Sequence, residues 1–253
     1  MEFNKSNSFN NDNENQVKQN LIHYKGKAGE FDYDPNIWKI DDNHLIFKDT
    51  EIESLPENLE LPKGCINTSD MFSHCKKLKD ITPLQNWDTS NVTDMSSMFY
   101  RCEKLTYITP LKDWDTSNVK KMSYMFLECH NLIDTYPLKN WNTSNVKYML
   151  GMFSFCTNLI DITSLQNWDT SKIINMSDMF YNCANLTDIS SLQNWDTSNV
   201  EDMSYMFEKC ENLTDISPLQ NWDTSNVKNM SRMFKYCKSI ADKSPIENWI
   251  FRK

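Results

Sequence analysis

Glycine is nearly missing from this chain, with 4 residues in 253. That excludes a glycine-rich loop of the kind that cradles a phosphate. It also means that Asn, Asp, Ser and Pro must make the turns. Histidine is just as scarce. His23, His44, His74 and His130 stand alone, and neither a His-Glu-x-x-His nor a Gly-x-Ser-x-Gly is present. On these residues we expect no enzyme, no catalytic residue, no metal and no cofactor. No run approaches the roughly 18 apolar residues of a membrane-crossing helix, so no membrane span is expected. The chain opens without a charged stretch followed by an apolar one, so no standard secretory leader is seen. The expectation is a cytoplasmic protein, with surface display or secretion by a non-standard route as the alternative. Basic charge is also lacking. Lys and Arg number 26 against 35 Asp and Glu, a net charge of -9. Nucleic-acid binding normally needs a basic face, so no nucleic-acid partner is expected.

What the chain has is a period. Trp recurs every 27 residues, at Trp87, Trp114, Trp141, Trp168, Trp195, Trp222 and Trp249. Cys keeps the same step from Cys75 to Cys237, and so do the Met-Phe pairs from Met71-Phe72 to Met233-Phe234. No insertion breaks the register from 71 to 249. A fixed period of this size marks stacked repeats, since one such unit cannot bury its apolar stripe alone.

The unit is best seen in WDTSNVEDMSYMFEKCENLTDISPLQN, residues 195–221. Leu213, Ile216 and Leu219, with Pro218 among them, predict a short strand over 213–217 and then a turn. Val200, Met203, Met206, Phe207 and Cys210 step by three and four, which predicts one or two helical turns, in part 3₁₀. The Asp-Thr-Ser-Asn before them would supply cap oxygens. A second strand over 200–203 is the other reading. Strand stacking would advance the chain about 4.8 Å per repeat, giving a rod on the order of 35 Å.

The pattern MFxxCxxLxxIxxLxxW, followed by DTSNVxxMSxMF, resembles the BspA-type leucine-rich repeats of bacterial surface proteins. The resemblance covers roughly residues 65 to 249. It implies an α/β repeat solenoid that is leucine-rich-repeat-like, with short parallel strands on one face and short helices or 3₁₀ turns on the other. It also implies a role in binding or adhesion.

In chain order, residues 1–20 are polar and Asn-rich and should be disordered. Residues 21–63 leave the repeat and carry Tyr24, Phe31, Tyr33, Ile37 and Trp38, which suit an N-terminal cap. Within them, IESLPENLEL resembles a repeat coil. Residues 64–253 form the array of about seven repeats, opening on the degenerate GCINTSDMFSHC, as a terminal repeat does. At the far end, either Trp249, Ile250 and Phe251 fold over the last coil, or a homodimer forms through the C-terminal coil.

Several columns invite a chemical reading. The ladder cysteines offer one thiol per repeat and no paired zinc spacing, so they read as small buried fillers. Met and Phe read as core, and Trp as a packed edge with some ring exposed. The Asn column at Asn86, Asn140, Asn167, Asn194, Asn221 and Asn248 is expected to serve the turn backbone of the next coil. The column Asp88, Asp115, Asn142, Asp169, Asp196 and Asp223 is expected to cap helices. The outward position of the predicted strand holds Asp80, Asp134, Asp161, Asp188, Asp215 and Asp242, with Tyr107 in place of Asp and Tyr136 beside it. Like charges opposite one another on paired strands repel. The bland reading is a solvated face or Asp bonding local backbone. The functional reading makes Tyr107, Asp134, Tyr136, Asp161, Asp188, Asp215 and Asp242 a strip for a protein partner, with the two tyrosines as anchors. Charge also varies between repeats. Residues 195–221 carry six acids against Lys209, and 222–248 carry Lys228, Arg232, Lys235, Lys238 and Lys243 against three acids. The leading function is non-enzymatic protein–protein interaction through the strand face, and a cell-surface adhesin is the alternative.

Overall fold

The computed structural model describes residues 21–249, apart from 27, 42 and 43. The expectations for residues 1–20 and for a seal by Ile250 and Phe251 lie outside the described residues. Every 27-residue unit forms one coil, and each coil lies in register on the next. The Phe column is a single file from Phe72 to Phe234, with ring centroids 5.6–5.8 Å apart and planes within 13°. Trp rings stack alongside at 6.2–6.5 Å. They are more deeply buried than the sequence suggested, at 3–7% exposure from Trp87 to Trp249. A buried indole N–H needs an acceptor, and from Trp87 to Trp222 it finds one in the coil below, as when Trp114 Nε1 donates to the Leu84 carbonyl at 2.9 Å and Trp141 to that of Leu111 at 2.9 Å, whereas Trp249 Nε1 has none among the described residues.

The helix and the strand expected in each unit both take other forms. Among the described residues no α-helix forms. The stretch spaced like a helix, 200–210 and its equivalents, is a ribbon of consecutive tight turns, including Met206 N–H to Met203 O and Cys210 N–H to Phe207 O. The third residue of each of these two turns has positive φ, Tyr205 at 60° and Lys209 at 63°. Such reversals stop helix propagation and free alternate N–H groups to reach the next coil. Met203, Tyr205, Phe207 and Lys209 donate to the carbonyls of Asn229, Ser231, Met233 and Lys235. The same four-bond rung recurs from Thr68 upward to Lys209, and at each step a bond runs the other way, as from Lys228 N–H to Glu201 O, which Asn229 N–H joins. Parallel bridges link Asn67, Asp94, Lys121, Tyr148, Asn175, Asp202 and Asn229 in turn. The hydrogen-bonded ladder therefore sits at the position held open as a second strand. The predicted strand position pairs as parallel bridges only between Ser54 and Asp80 and between Asp134 and Asp161, and 213–217 runs into a 3₁₀ helix at Ser217–Leu219, matched by Thr82–Asn86, Thr109–Leu111, Tyr136–Asn140, Thr163–Asn167, Ser190–Leu192 and Ser244–Ile246. Pro or Ser at the second helical position suits this, because proline presets φ and needs no N–H there.

Side chains add further ties between coils. Each Cys from Cys102 to Cys237 donates its S–H to a Phe carbonyl in the preceding coil, at 2.9–3.3 Å. Thr89, Thr116, Thr143, Thr170 and Thr197 donate to the coil above. The amide ladder exists, but not in the predicted column. Asn118, Asn145, Asn199 and Asn226 donate to the Ser carbonyl of the coil below, whereas Asn86 and its equivalents are exposed. Where Thr135 breaks the Ile column, its hydroxyl meets Ser164 Oγ at 2.6 Å, so the buried polar group is satisfied.

At the N-terminal side, two antiparallel hairpins precede the coils. Strands β1 (Ile22–Gly26) and β2 (Gly29–Tyr33) form the first, and β3 (Trp38–Asp41) and β4 (His44–Phe47) the second. Trp38 and Phe47 cover Phe72, with centroids at 6.0 and 5.7 Å, and Phe47 N–H donates to Met71 O. The coil-like fragment holds its place in the stack: Leu55 N–H donates to Asp80 O, and Leu59 O accepts the Trp87 indole. Gly29 has φ 127°, and a Cβ there would lie 2.2 Å from Gly64 O, so only glycine permits this approach of hairpin and first coil.

Candidate interaction surface

The predicted acidic strip is real as a row but differs in chemistry. Each carboxylate accepts the N–H two residues on: Asp134 from Tyr136 at 3.0 Å, Asp161 from Thr163 at 2.8 Å, Asp188 from Ser190 at 2.7 Å, and Asp215 from Ser217 and Asp242 from Ser244 at 2.8 Å. These are Asx turns that lead the chain into its 3₁₀ helices. Repulsion along the row does not dominate. The Thr82 hydroxyl and N–H hold Asp80 below the usual carboxylate range, and the Ser244 N–H and hydroxyl do the same for Asp242. The second acidic column has no helix to cap and makes the same turn, as when Asp196 accepts Ser198 N–H at 3.0 Å. Tyr107 and Tyr136 are the most exposed large apolar side chains, at 61% and 68%. Tyr107 borders a 540 Å³ groove with Lys79, Thr82, Pro110 and Lys112.

A second surface is formed by the ladder itself, the side on which the sequence showed charge varying between the late repeats. Its left-handed positions point varied side chains outward over an unchanging core. One column reads Asp70, Ser97, Tyr124, Gly151, Asp178, Tyr205, Arg232, and the other His74, Arg101, Glu128, Phe155, Asn182, Lys209, Tyr236. Rings and cations pair across coils. Lys209 lies over Tyr181 at 5.3 Å, Tyr181 packs on Phe155 at 5.0 Å, and Arg232 lies over Tyr205 at 5.6 Å. Arg101 covers Tyr100 at 5.5 Å and its Nε donates to Glu128 Oε2 at 2.8 Å. The signal available in the sequence was positional: beside the constant Met-Phe and Cys columns, these vary without restraint.

On this face Asp178 is pushed up to about 6, first by burial, then by Asp202 and Glu208. Glu208 is 3% exposed, and its Oε2 has no hydrogen-bond partner. Among the described residues no three His, Cys, Asp or Glu side chains are arranged to hold a metal ion. Burial pushes the ladder thiols up, Cys75 to about 12 and Cys102 and Cys156 well above the ordinary value. Among the described residues no helix is long and apolar enough to cross a membrane.

No curated protein matches the chain. A crystal structure of a leucine-rich repeat protein from Bacteroides ovatus is 12% identical over 90% of this chain and 81% of that one, with a TM-score of 0.21, too low to carry an argument. A family model described as "Mycoplasma protein of unknown function, DUF285" matches twice, over residues 66–164 and 155–253. Those paired matches fall on the array of 27-residue coils, and the chain belongs to this DUF285 family, as a repeat protein.

Proposed function

We propose that this chain is a non-enzymatic protein-binding module, a leucine-rich-repeat solenoid that recognises a protein partner through its ladder face. The observation that supports the reading is the contrast within each coil. The inward Met, Phe, Cys and Trp columns repeat, while the outward left-handed columns hold Tyr, Arg, Phe, Lys, Glu and Asp in an order that never repeats. Aromatic and arginine side chains on a rigid frame dominate the energetics of protein interfaces. Half-buried rings already paired with cations lose little freedom on binding. The strip of Tyr107, Asp134, Tyr136, Asp161, Asp188, Asp215 and Asp242 is the second candidate surface, favoured by its two exposed tyrosines.

The two surfaces are separable by affinity capture with the full chain. A partner held through the ladder face is lost with Tyr181→Ser and Tyr205→Ser and kept with Tyr107→Ser and Tyr136→Ser. The reverse pattern moves the site to the acidic strip, and a partner indifferent to all four removes both. A BspA-type adhesin is the other reading, on the MFxxC repeat pattern. It requires that a membrane-impermeant label reach the protein on intact cells.

A further inference from the structure

The ladder has a direction. At each step four backbone N–H groups of the ladder donate to the next coil, while one, or two at the last step, donates back. On the last described coil, Met230, Arg232, Phe234 and Tyr236 hold the four donor positions, and among the described residues their N–H groups have no acceptor. Arg232 and Tyr236 keep the left-handed φ of 61° and 66°, so the row holds its shape without a neighbour. Consecutive N–H groups of turns aimed the same way form a concavity that attracts oxygen acceptors and negative charge. The surrounding side chains agree with this. A 310 Å³ groove there is lined by Phe234, Ile246 and Trp249 together with Arg232, Lys235 and Lys243. None of those three cations has a carboxylate partner among the described residues, whereas Lys228 and Lys238 of the same coil are paired with Glu201 and Glu211.

We propose that this edge binds an extended acidic segment of another protein. The segment's backbone and carboxylate oxygens take up the four N–H groups, its charge faces Arg232 and Lys243, and an apolar side chain enters the groove beside Trp249. This edge shares Arg232 and Tyr236 with the ladder face but adds the groove and Lys243, so Tyr181→Ser, outside the edge, tests the ladder reading alone. A second copy meeting the edge with its own last coil would set donors against donors. A copy arriving head to tail would need the carbonyl row of its first coil, where Phe47 N–H already bonds Met71 O and Trp38 and Phe47 cover Phe72. A free acidic chain meets neither obstacle.

The test is fluorescence anisotropy of a labelled peptide of alternating Glu and Leu against the full chain. The matching Lys-Leu peptide is the control. Saturable, salt-sensitive binding of the acidic peptide alone is expected. Combining Arg232→Glu with Lys243→Glu should weaken it at least about tenfold. Both side chains are exposed, so the variant's melting temperature should match the parent's. Charge reversal at Lys76 and Lys77, near the other end, should leave binding unchanged. Bound peptide should slow hydrogen exchange at Met230, Arg232, Phe234 and Tyr236. The proposal is overturned if neither peptide binds, if both bind equally, if the double reversal has no effect, or if protection appears elsewhere. A dimer in solution that the double reversal abolishes would also overturn it.

Discussion

Gly151 stands at a left-handed position that Ser, Tyr, Asp and Arg fill in other coils, so φ alone does not require glycine there. The reason lies one coil below. A Cβ on Gly151 would lie 2.7 Å from both Cδ1 and Cε1 of Tyr124, whose ring covers the site. Gly151→Ala therefore meets two costs: about 1 kcal/mol for a side chain at φ 60° and about 1 kcal/mol for displacing a half-buried ring. A total of about 2 kcal/mol lowers the melting temperature of a chain this size by about 4–8 °C. The two costs separate in a double-mutant cycle, because Tyr124→Ala removes only the second. Thermal and urea unfolding followed by circular dichroism should give a coupling of about 1 kcal/mol, with Gly151→Ala milder in the Tyr124→Ala background. Equal destabilisation in both backgrounds would refute the contact between coils, and no destabilisation in either would refute the left-handed backbone as well.

Other predictions concern single columns. Asp161 Oδ1 accepts both the N–H and the hydroxyl of Thr163, so Asp161→Ala should cost about 1 kcal/mol and Asp161→Asn, which keeps an acceptor, less than half of that; equal melting of Ala, Asn and parent would remove the Asx turn. The Asp178 carboxyl moves from 3.8 to about 6, so the folded chain holds that proton more tightly than the unfolded one. The stability this lends is complete below 3.8 and is lost as pH rises through about 6. The shift corresponds to about 3 kcal/mol, which solvent screening of a half-buried group reduces to about 1 kcal/mol. Asp178→Asn should accordingly raise stability above pH 6 and change little near pH 4, and a gain of the same size at both would contradict the assignment. A thiol reagent should modify Cys237, 8% exposed in the last described coil, well before Cys102, Cys129 or Cys156, which only unfolding releases.

The repeat, its register and its buried columns were legible in the sequence because a fixed step forces equal residues into contact. Trp87 to Trp249 and Phe72 to Phe234 stack as the spacing requires. The secondary structure was less legible, and the reason is physical. A run such as Val200, Met203, Met206, Phe207, Cys210 has the same three-and-four spacing whether it winds as a helix or steps through consecutive four-residue turns. What decides is the backbone sign at Tyr205 and Lys209, and neither residue type announces a positive φ. Reading Asp215 as an outward strand residue failed for a related reason. An Asp two residues before Ser217 bonds its N–H and starts a turn, and strand alternation cannot show that. Of the varied ladder face only the charge contrast between 195–221 and 222–248 was legible, because a surface that does not repeat leaves no periodic signal.

Amide hydrogen exchange read residue by residue tests the directional stacking of coils most directly. Met122, Tyr124, Phe126 and Glu128 donate to the next coil, and Met230, Arg232, Phe234 and Tyr236 occupy the same four positions without an acceptor among the described residues. Strong protection of the first four, with fast exchange in the second four of the protein alone, is the predicted result. Equal exchange in the two sets, or protection that follows a helical i→i−4 pattern through 119–129, would contradict the stack.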